Sequence, residues 1–150
     1  MIYFDELKEN EEFITPCRTI TEADVVIFAG LTGDYNQIHT NAEAMKESQF
    51  GERLVHGLLA LSISHGLMFQ LGILAGSAIA FAGIDDLAFL APVKIGDTVH
   101  GRITTSKLTA SRSKPDRGIA YFTYELLNQH DVVVQRCVKK VMMMKKPLKV

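Results

Sequence analysis

The sequence predicts an α+β domain in which a curved antiparallel sheet surrounds one long helix. Helical patterns occupy the first half of the chain and alternating strand patterns the second, a segregation typical of α+β domains. Between them, residues 57–71 are apolar on nearly every side, which indicates a buried helix. We expect residues 1–150 to form a single domain, since a chain of this length can bury a sizeable core.

Local signals place the helices of the first half. A short strand is expected near residues 13–20. Thr21 then provides an N-cap, followed by acidic residues, for a helix of about three turns that ends near Gly33. Residues 33–39 are too rich in turn formers to predict a regular element, and residues 41–46 predict a second short helix behind an Asn cap.

The second half of the chain predicts the sheet. Two short strands are expected over residues 78–81 and 87–90, separated by a glycine and two aspartates, with a bend over 91–97. Further strands are expected around residues 99–104 and 120–126 and over 132–144, with turns at 111–118 and 128–131. A strongly curved sheet can wrap a helix that is apolar all round, which is the geometry of a hot-dog fold.

Composition and charge exclude several classes of function. The chain is 47% hydrophobic and 22% charged, with a net charge of −1 and no clustered basic face, so we expect no nucleic-acid interface. Residues 58–81 are long and mostly apolar, but their serines, histidine, glutamine and glycines argue against a membrane span. The N-terminus lacks the apolar core of a signal peptide, and the two cysteines fit no metal spacing; a cytoplasmic location with reduced thiols is the default expectation.

Asp34 and His39 place a carboxylate and an imidazole five residues apart in the turn-rich segment. Together, such groups can hold and activate a water molecule by general acid–base catalysis. A purely local interpretation is also available, in which Asp34 forms an Asx-turn and Asn36 caps the backbone. Considered alone, this short motif favours the local interpretation.

His56 and Gly57 stand where the long apolar helix begins. The first amides of a helix have no intrahelical partner and carry the positive end of its dipole. Directed at a carbonyl, they form an oxyanion hole, in which each donor is worth roughly 3–4 kcal/mol. Glycine permits a substrate to approach closely. The alternative is that Gly57 only allows a tight entry into the helix, with His56 as its cap.

The remaining candidate residues point less clearly to a function. His65 lies on the predicted buried helix and is either a site residue or a core histidine, of which the second is more common. The five histidines show no metal-ligand spacing, and no glycine-rich phosphate loop is present, so we expect neither a metal nor a cofactor. Arg112, Lys114 and Arg117 could contact ligand phosphates, although a solvated hairpin tip is the more common interpretation.

Considered together, the two motifs favour the catalytic interpretation over the local structural one. Residues 33–39 (GDYNQIH), followed by residues 50–57 (FGERLVHG) at the start of a long helix, resemble the hydratase signature of the MaoC-like family, which includes the (R)-specific enoyl-CoA hydratases. The resemblance continues into residues 89–99 and covers roughly residues 20–140, nearly the whole chain. It implies a single hot-dog domain that reversibly hydrates trans-2-enoyl-CoA to (R)-3-hydroxyacyl-CoA. It also implies a homodimer, or a higher homo-oligomer, with the site at the subunit interface.

The resemblance also assigns residues to roles. It implies that Asp34 and His39 bind the water that adds across the double bond, and that the amide of Gly57 binds the thioester oxygen. The substrate-binding positions expected around them are Asn36, Val55, His56, Ser62 and His65.

Two positions depart from the family pattern. Gln37 stands where many members have proline, which frees one backbone angle without removing a catalytic group. His65 stands where some members place a serine, which affects the acyl pocket more than the reaction. A hot-dog thioesterase and a non-catalytic acyl-thioester-binding module remain the alternatives, and the linked Asp34–His39 loop favours hydration over both.

Overall fold

A computed structural model describes residues 1–147 of the chain. A short 3₁₀ helix spans Phe4–Glu6 and precedes the two shortest strands, β1 (Glu12–Ile14) and β2 (Arg18–Thr19). The α-helices are α1 (Glu22–Thr32), α2 (Gln37–Thr40), α3 (Ala42–Lys46) and α4 (Gly57–Gln70). The long strands are β3 (Ala78–Phe89), β4 (Thr98–Ala110), β5 (Arg117–Leu127) and β6 (Val133–Met144).

The strands form one antiparallel sheet in the order β1-β4-β5-β6-β3, and β2 pairs with β4 beside β1. Alternate residues of β4, β5 and β6 are buried, because successive side chains of a strand point to opposite faces. Their inner faces and α4 share one hydrophobic core. A sheet that encloses a central helix is the hot-dog fold, and this predicted fold class is confirmed.

The central helix is less completely enclosed than its sequence predicts. Ile63, Leu67 and Met68 are buried in the core. Leu58 and Phe69, in contrast, are 58% and 42% exposed in the single chain. No helix within residues 1–147 is long and apolar enough to cross a membrane.

Three local predictions were wrong. The strand expected near residues 13–20 is divided into β1 and β2, between which Pro16 has no amide proton to donate to a ladder. The two short strands expected over 78–81 and 87–90 are one strand, β3. Register shifts against β6 accommodate Gly83 and Asp86, which have positive φ angles of 144° and 52°. The segment after Gly33 contains a helical turn, α2, which no periodic pattern in the sequence predicts.

Strand β3 lies at the edge of the sheet and carries exposed apolar side chains. Ile79, Phe81, Leu87 and Phe89 are between 37% and 54% exposed. An edge strand presents unpaired backbone groups, and natural proteins usually protect such an edge with charges or a covering segment. Its composition therefore makes β3 the most apolar open edge of the sheet described here.

Lys139 is a fully buried base on β6. Its Nζ donates a hydrogen bond to Ser64 Oγ of α4 at 2.8 Å and lies 3.8 Å from the centre of the Tyr124 ring. Burial lowers the pKa of Lys139 to about 7, because the charged ammonium loses its hydration. Burial of the His65 ring, together with the nearby Lys139 charge, lowers the pKa of His65.

The buried lysine should make stability depend on pH. Between about pH 7 and pH 9 the unfolded chain holds a proton on Lys139 that the folded protein lacks, so the free energy of unfolding should rise by up to about 1.4 kcal/mol per pH unit. Lys139→Met should flatten this rise, measured by urea unfolding at several pH values. Lys140→Met is the control, because Lys140 pairs with Asp85 at 2.7 Å on the outer face. An equally steep rise in Lys139→Met would contradict the assignment.

Candidate active site

The end of α1 delivers the chain into the candidate site. The helix begins with a capping box between Thr21 and Asp24 and ends at Gly33, whose positive φ of 77° belongs to the left-handed region. Asp34 follows immediately, and its Oδ1 accepts a hydrogen bond from the Asn36 amide at 3.3 Å. The Asn36 side chain in turn accepts from the Ile38 amide at 3.1 Å and caps α2. The local interpretation of these residues therefore holds alongside any catalytic one.

His39, on α2, has a defined protonation pattern. Its Nδ1 lies 2.8 Å from the Leu54 carbonyl oxygen, and because a carbonyl only accepts, Nδ1 carries the proton and donates it. The lone pair of the neutral ring is therefore on Nε2. Nε2 lies 3.9 Å from Asp34 Oδ2, too far for a direct hydrogen bond but suited to a shared water. The Asp34 side chain is 51% exposed and the His39 side chain 13%, so the pair lies at an accessible surface.

His56 supports both members of this pair. Its ring stacks on that of His39 with centroids 3.8 Å apart and an interplanar angle of 24°. Its Nε2 donates a hydrogen bond to the Asp34 carbonyl oxygen at 3.0 Å. The residue is 1% exposed and occupies the N-cap position of α4 without a capping hydrogen bond from its side chain. His56 is thus the N-cap residue, as the alternative interpretation has it, and its side chain positions Asp34 and His39 instead of capping the helix.

The start of α4 forms another wall of the site. Gly57 is the first helical residue. The first amides of a helix have no intrahelical partner, and here the N-cap side chain does not bind them either. A Cβ atom at Gly57 would come within 2.7 Å of Phe89 Cε1, so the Phe89 ring lies against the glycine backbone. Because no capping side chain occupies it, the amide end of α4 can bind an oxygen atom of a ligand.

One cavity joins these groups. It has a volume of about 340 Å³ and includes Asp34, His39, Val55, His56 and Gly57 in its lining. Five of the eight residues expected from the sequence are thus brought together. Asn36 shapes the adjoining loop but does not line this cavity.

Ser62 and His65 lie elsewhere on α4. Ser62 Oγ donates to the Leu58 carbonyl oxygen at 2.8 Å, within its own helix. The His65 ring packs edge-on against Phe69 and Phe81, with centroids 4.9 and 4.7 Å away. Neither residue lines the cavity, because both side chains leave α4 away from its first turn.

Several lining residues were not predicted from the sequence. Phe89 comes from the end of β3, and Val134 and Gln135 come from the start of β6. Gln135 is 2% exposed; its Nε2 donates to the Gly57 carbonyl oxygen at 3.5 Å. The alternating pattern of β6 is interrupted there by two consecutive buried residues, a signal that becomes meaningful only when the strand is seen to pass α4.

The site also contains a grouping that sequence spacing did not indicate. One potential ligand atom from each of Asp34, His39 and His56 lies within 4.8 Å of the others. His56 Nε2 is committed to the Asp34 carbonyl, and His39 Nδ1 to the Leu54 carbonyl. Because those nitrogens carry protons, this arrangement offers an incoming ion the Asp34 carboxylate and a single imidazole lone pair facing it. That donor set fits a hydrogen-bonded water better than a closed metal site.

The chain is a hot-dog protein in which a carboxylate and an imidazole lie beside a helix N-terminus. A family model described as MaoC like domain matches residues 7–121. The chain belongs to the MaoC-like domain family.

Three curated relatives support this membership. Protein MaoC of Klebsiella aerogenes is 41% identical over 75% of this chain, and the match covers 33% of that protein, so the chain spans only about a third of it. The (R)-specific enoyl-CoA hydratase of Rhodospirillum rubrum is 33% identical, with 73% of this chain and 74% of that protein covered. The 3-hydroxybutyryl-CoA dehydratase of Methylorubrum extorquens is 31% identical, with 76% and 70% covered. These names support a family of hydro-lyases.

Solved structures agree on the fold. The monoamine oxidase regulatory protein of Archaeoglobus fulgius superposes with a TM-score of 0.89 at 34% identity, covering 97% of this chain and 96% of that one. A Mycobacterium tuberculosis protein described as a double hotdog fold gives a TM-score of 0.82 at 19% identity, covering 99% of this chain and 46% of that one. At that lower identity the likeness concerns the fold alone.

Proposed function

We propose that this protein catalyses the reversible hydration of trans-2-enoyl-CoA to (R)-3-hydroxyacyl-CoA. One observation carries the proposal: the free Nε2 lone pair of His39 faces the Asp34 carboxylate in a cavity that the start of α4 also lines. The names of the relatives support a hydratase or dehydratase of acyl thioesters. The carboxylate, the imidazole lone pair and the helix N-terminus in this cavity also support the proposal.

The reaction proceeds through the residues of this cavity. Asp34 accepts a hydrogen bond from a water molecule and orients it, while His39 Nε2 accepts a second. The Gly57 amide binds the thioester oxygen, which makes the β-carbon electrophilic and stabilises the enolate that forms. As the water oxygen bonds to the β-carbon, His39 removes its proton. The enolate then takes that proton at the α-carbon, which returns His39 to its starting state.

Hydration and thioester hydrolysis can use similar catalytic groups, but they form different products. Purified protein should consume crotonyl-CoA with loss of the enoyl-thioester absorbance, and chromatography should identify 3-hydroxybutyryl-CoA of R configuration. A thiol reagent in a parallel assay should detect no free CoA. Release of CoA without hydration would favour a hot-dog thioesterase, and binding without turnover a non-catalytic acyl-thioester-binding module; either result would overturn the proposal.

We further propose that two chains associate through β3 into a homodimer. The exposed apolar side chains of β3 and its open backbone edge support this assembly, and Phe89 connects that edge to the candidate site. The cytoplasmic location expected from the sequence stays a prediction.

A charged edge should prevent the proposed pairing. The double substitution Phe81→Lys and Leu87→Lys should convert the dimer to a monomer, because the two β3 edges would then carry like charges and repel each other. Light scattering coupled to size-exclusion chromatography measures the mass. Leu31→Lys is the matched control, since Leu31 is 80% exposed on α1, and this variant should remain dimeric. An unchanged mass in the double variant would show that β3 is not the interface.

A further inference from the structure

Apart from His56, which holds Asp34, the most deeply buried part of the cavity wall is apolar except at one residue. Val55, Ala60, Val93 and Val134 provide aliphatic surface, and each is more than nine-tenths buried. Gln135 lies in the same wall and is 2% exposed. A primary amide therefore stands among side chains that would otherwise suit an alkyl chain.

The hydrogen bonds of this amide are incomplete. Gln135 Nε2 reaches the Gly57 carbonyl at 3.5 Å, the outer limit for a hydrogen bond. Its Oε1 is buried and accepts no hydrogen bond from the described residues. An alkyl chain laid along this wall cannot supply the missing donor, and it gains less from contact with an amide than from contact with an aliphatic side chain.

Gln135 also lies close to the position proposed for the thioester. Gly57 supplies the amide proposed to bind the thioester oxygen, and its own carbonyl contacts Gln135. A thioester held at Gly57 would direct the acyl carbons beyond the reacting double bond toward the inner wall. Gln135 is therefore positioned to contact the acyl carbons of a thioester held at Gly57.

We propose that Gln135 is a specificity-determining residue that favours short acyl groups over long unbranched alkyl chains. The inference rests on the proposed function, because it takes the acyl thioester as the ligand of this cavity. It assigns the residue to substrate selection and leaves the acid–base chemistry to Asp34 and His39.

The test compares two enoyl thioesters of different length. In the wild type, kcat/KM should be higher for crotonyl-CoA than for trans-2-octenoyl-CoA. Gln135→Leu removes the polar atoms at similar volume, and should raise the octenoyl-to-crotonyl ratio of kcat/KM roughly tenfold. Gln135→Met is a second apolar variant with a more adaptable side chain, for use if the leucine does not pack. Gln70→Leu is the control, since Gln70 is exposed at the end of α4 outside this cavity, and its ratio should stay at the wild-type value.

Two outcomes would overturn the inference. A parallel fall for both substrates in correctly folded variants would show a structural role, and an unchanged ratio would show no role in selection. Isothermal titration with butyryl-CoA and octanoyl-CoA, which have no double bond to hydrate, separates this result from the proposed function. If the wild type hydrates neither enoyl-CoA, the proposed function fails, whereas a shift in the ratio of these two Kd values still supports selection by Gln135.

Discussion

Replacing His39 by alanine or Asp34 by asparagine should lower the hydration of crotonyl-CoA about a thousandfold in a protein that remains folded. His39→Ala removes the Nε2 lone pair that would take the proton from water. Asp34→Asn keeps the size of the side chain but replaces the carboxylate with a neutral amide, which can present a donor where the water needs an acceptor. The measurement is kcat/KM from the enoyl-thioester absorbance, with thermal unfolding as the check on folding.

The chain offers a second histidine–aspartate pair as a matched control. His100 Nε2 lies 4.0 Å from Asp131 Oδ1, at nearly the same separation as in the site pair, but neither residue lines the cavity. His100→Ala and Asp131→Asn should retain wild-type activity. Full activity in His39→Ala or Asp34→Asn would contradict the acid–base assignment, whatever the control variants show.

Gly101→Ala should destabilise the fold by roughly 3 kcal/mol. Gly101 is buried on β4, and a Cβ atom there would lie 2.1 Å from the Tyr124 hydroxyl oxygen and 3.0 Å from the Thr15 methyl carbon. Tyr124 is 1% exposed and packs beneath Lys139, so it has little room to move. Urea unfolding of the variant and the wild type measures the difference in the free energy of unfolding.

Two further variants show whether the Tyr124 contact causes the loss. Combining Gly101→Ala with Tyr124→Phe removes the nearest atom and should recover part of the lost stability. Gly66→Ala, on exposed α4 surface with open space around it, should instead be neutral or stabilise by up to about 1 kcal/mol. If Gly101→Ala has the stability of the wild type, Tyr124 can move to accommodate the added methyl group at little cost.

The parts of the fold that depend on local chemistry were predictable from sequence. Thr21 and Gly33 bound α1 as their capping preferences indicate, and the apolar run after Gly57 forms the central helix. The length of β3 was missed because Gly83 and Asp86 resemble strand breaks in the sequence. In the structure, β3 pairs with β6 on both sides of these residues, which lie at register shifts within one continuous strand. The sequence of β3 alone does not predict this pairing.

The same distinction applies to the candidate site. Asp34, His39 and Gly57 belong to compact motifs, and the structure places all three around one cavity. Gln135 lies 78 residues after Gly57 on a strand, so its approach to α4 depends on the curvature of the whole sheet. His65 was placed among the substrate-binding positions by counting along a helix. The direction of its side chain, toward Phe69 and Phe81, depends on packing that spacing does not encode.

The unequal edges of the sheet set a limit on how far association can proceed. One edge is the twelve-residue β3, whereas the other offers β1 and β2, of three and two residues. When two chains join β3 to β3, each uses its one extended edge in a symmetric contact, and no comparable edge within residues 1–147 remains to recruit a third. In the proposed dimer, sheet pairing would therefore end at two chains instead of growing into a filament, and a larger assembly would need other surfaces.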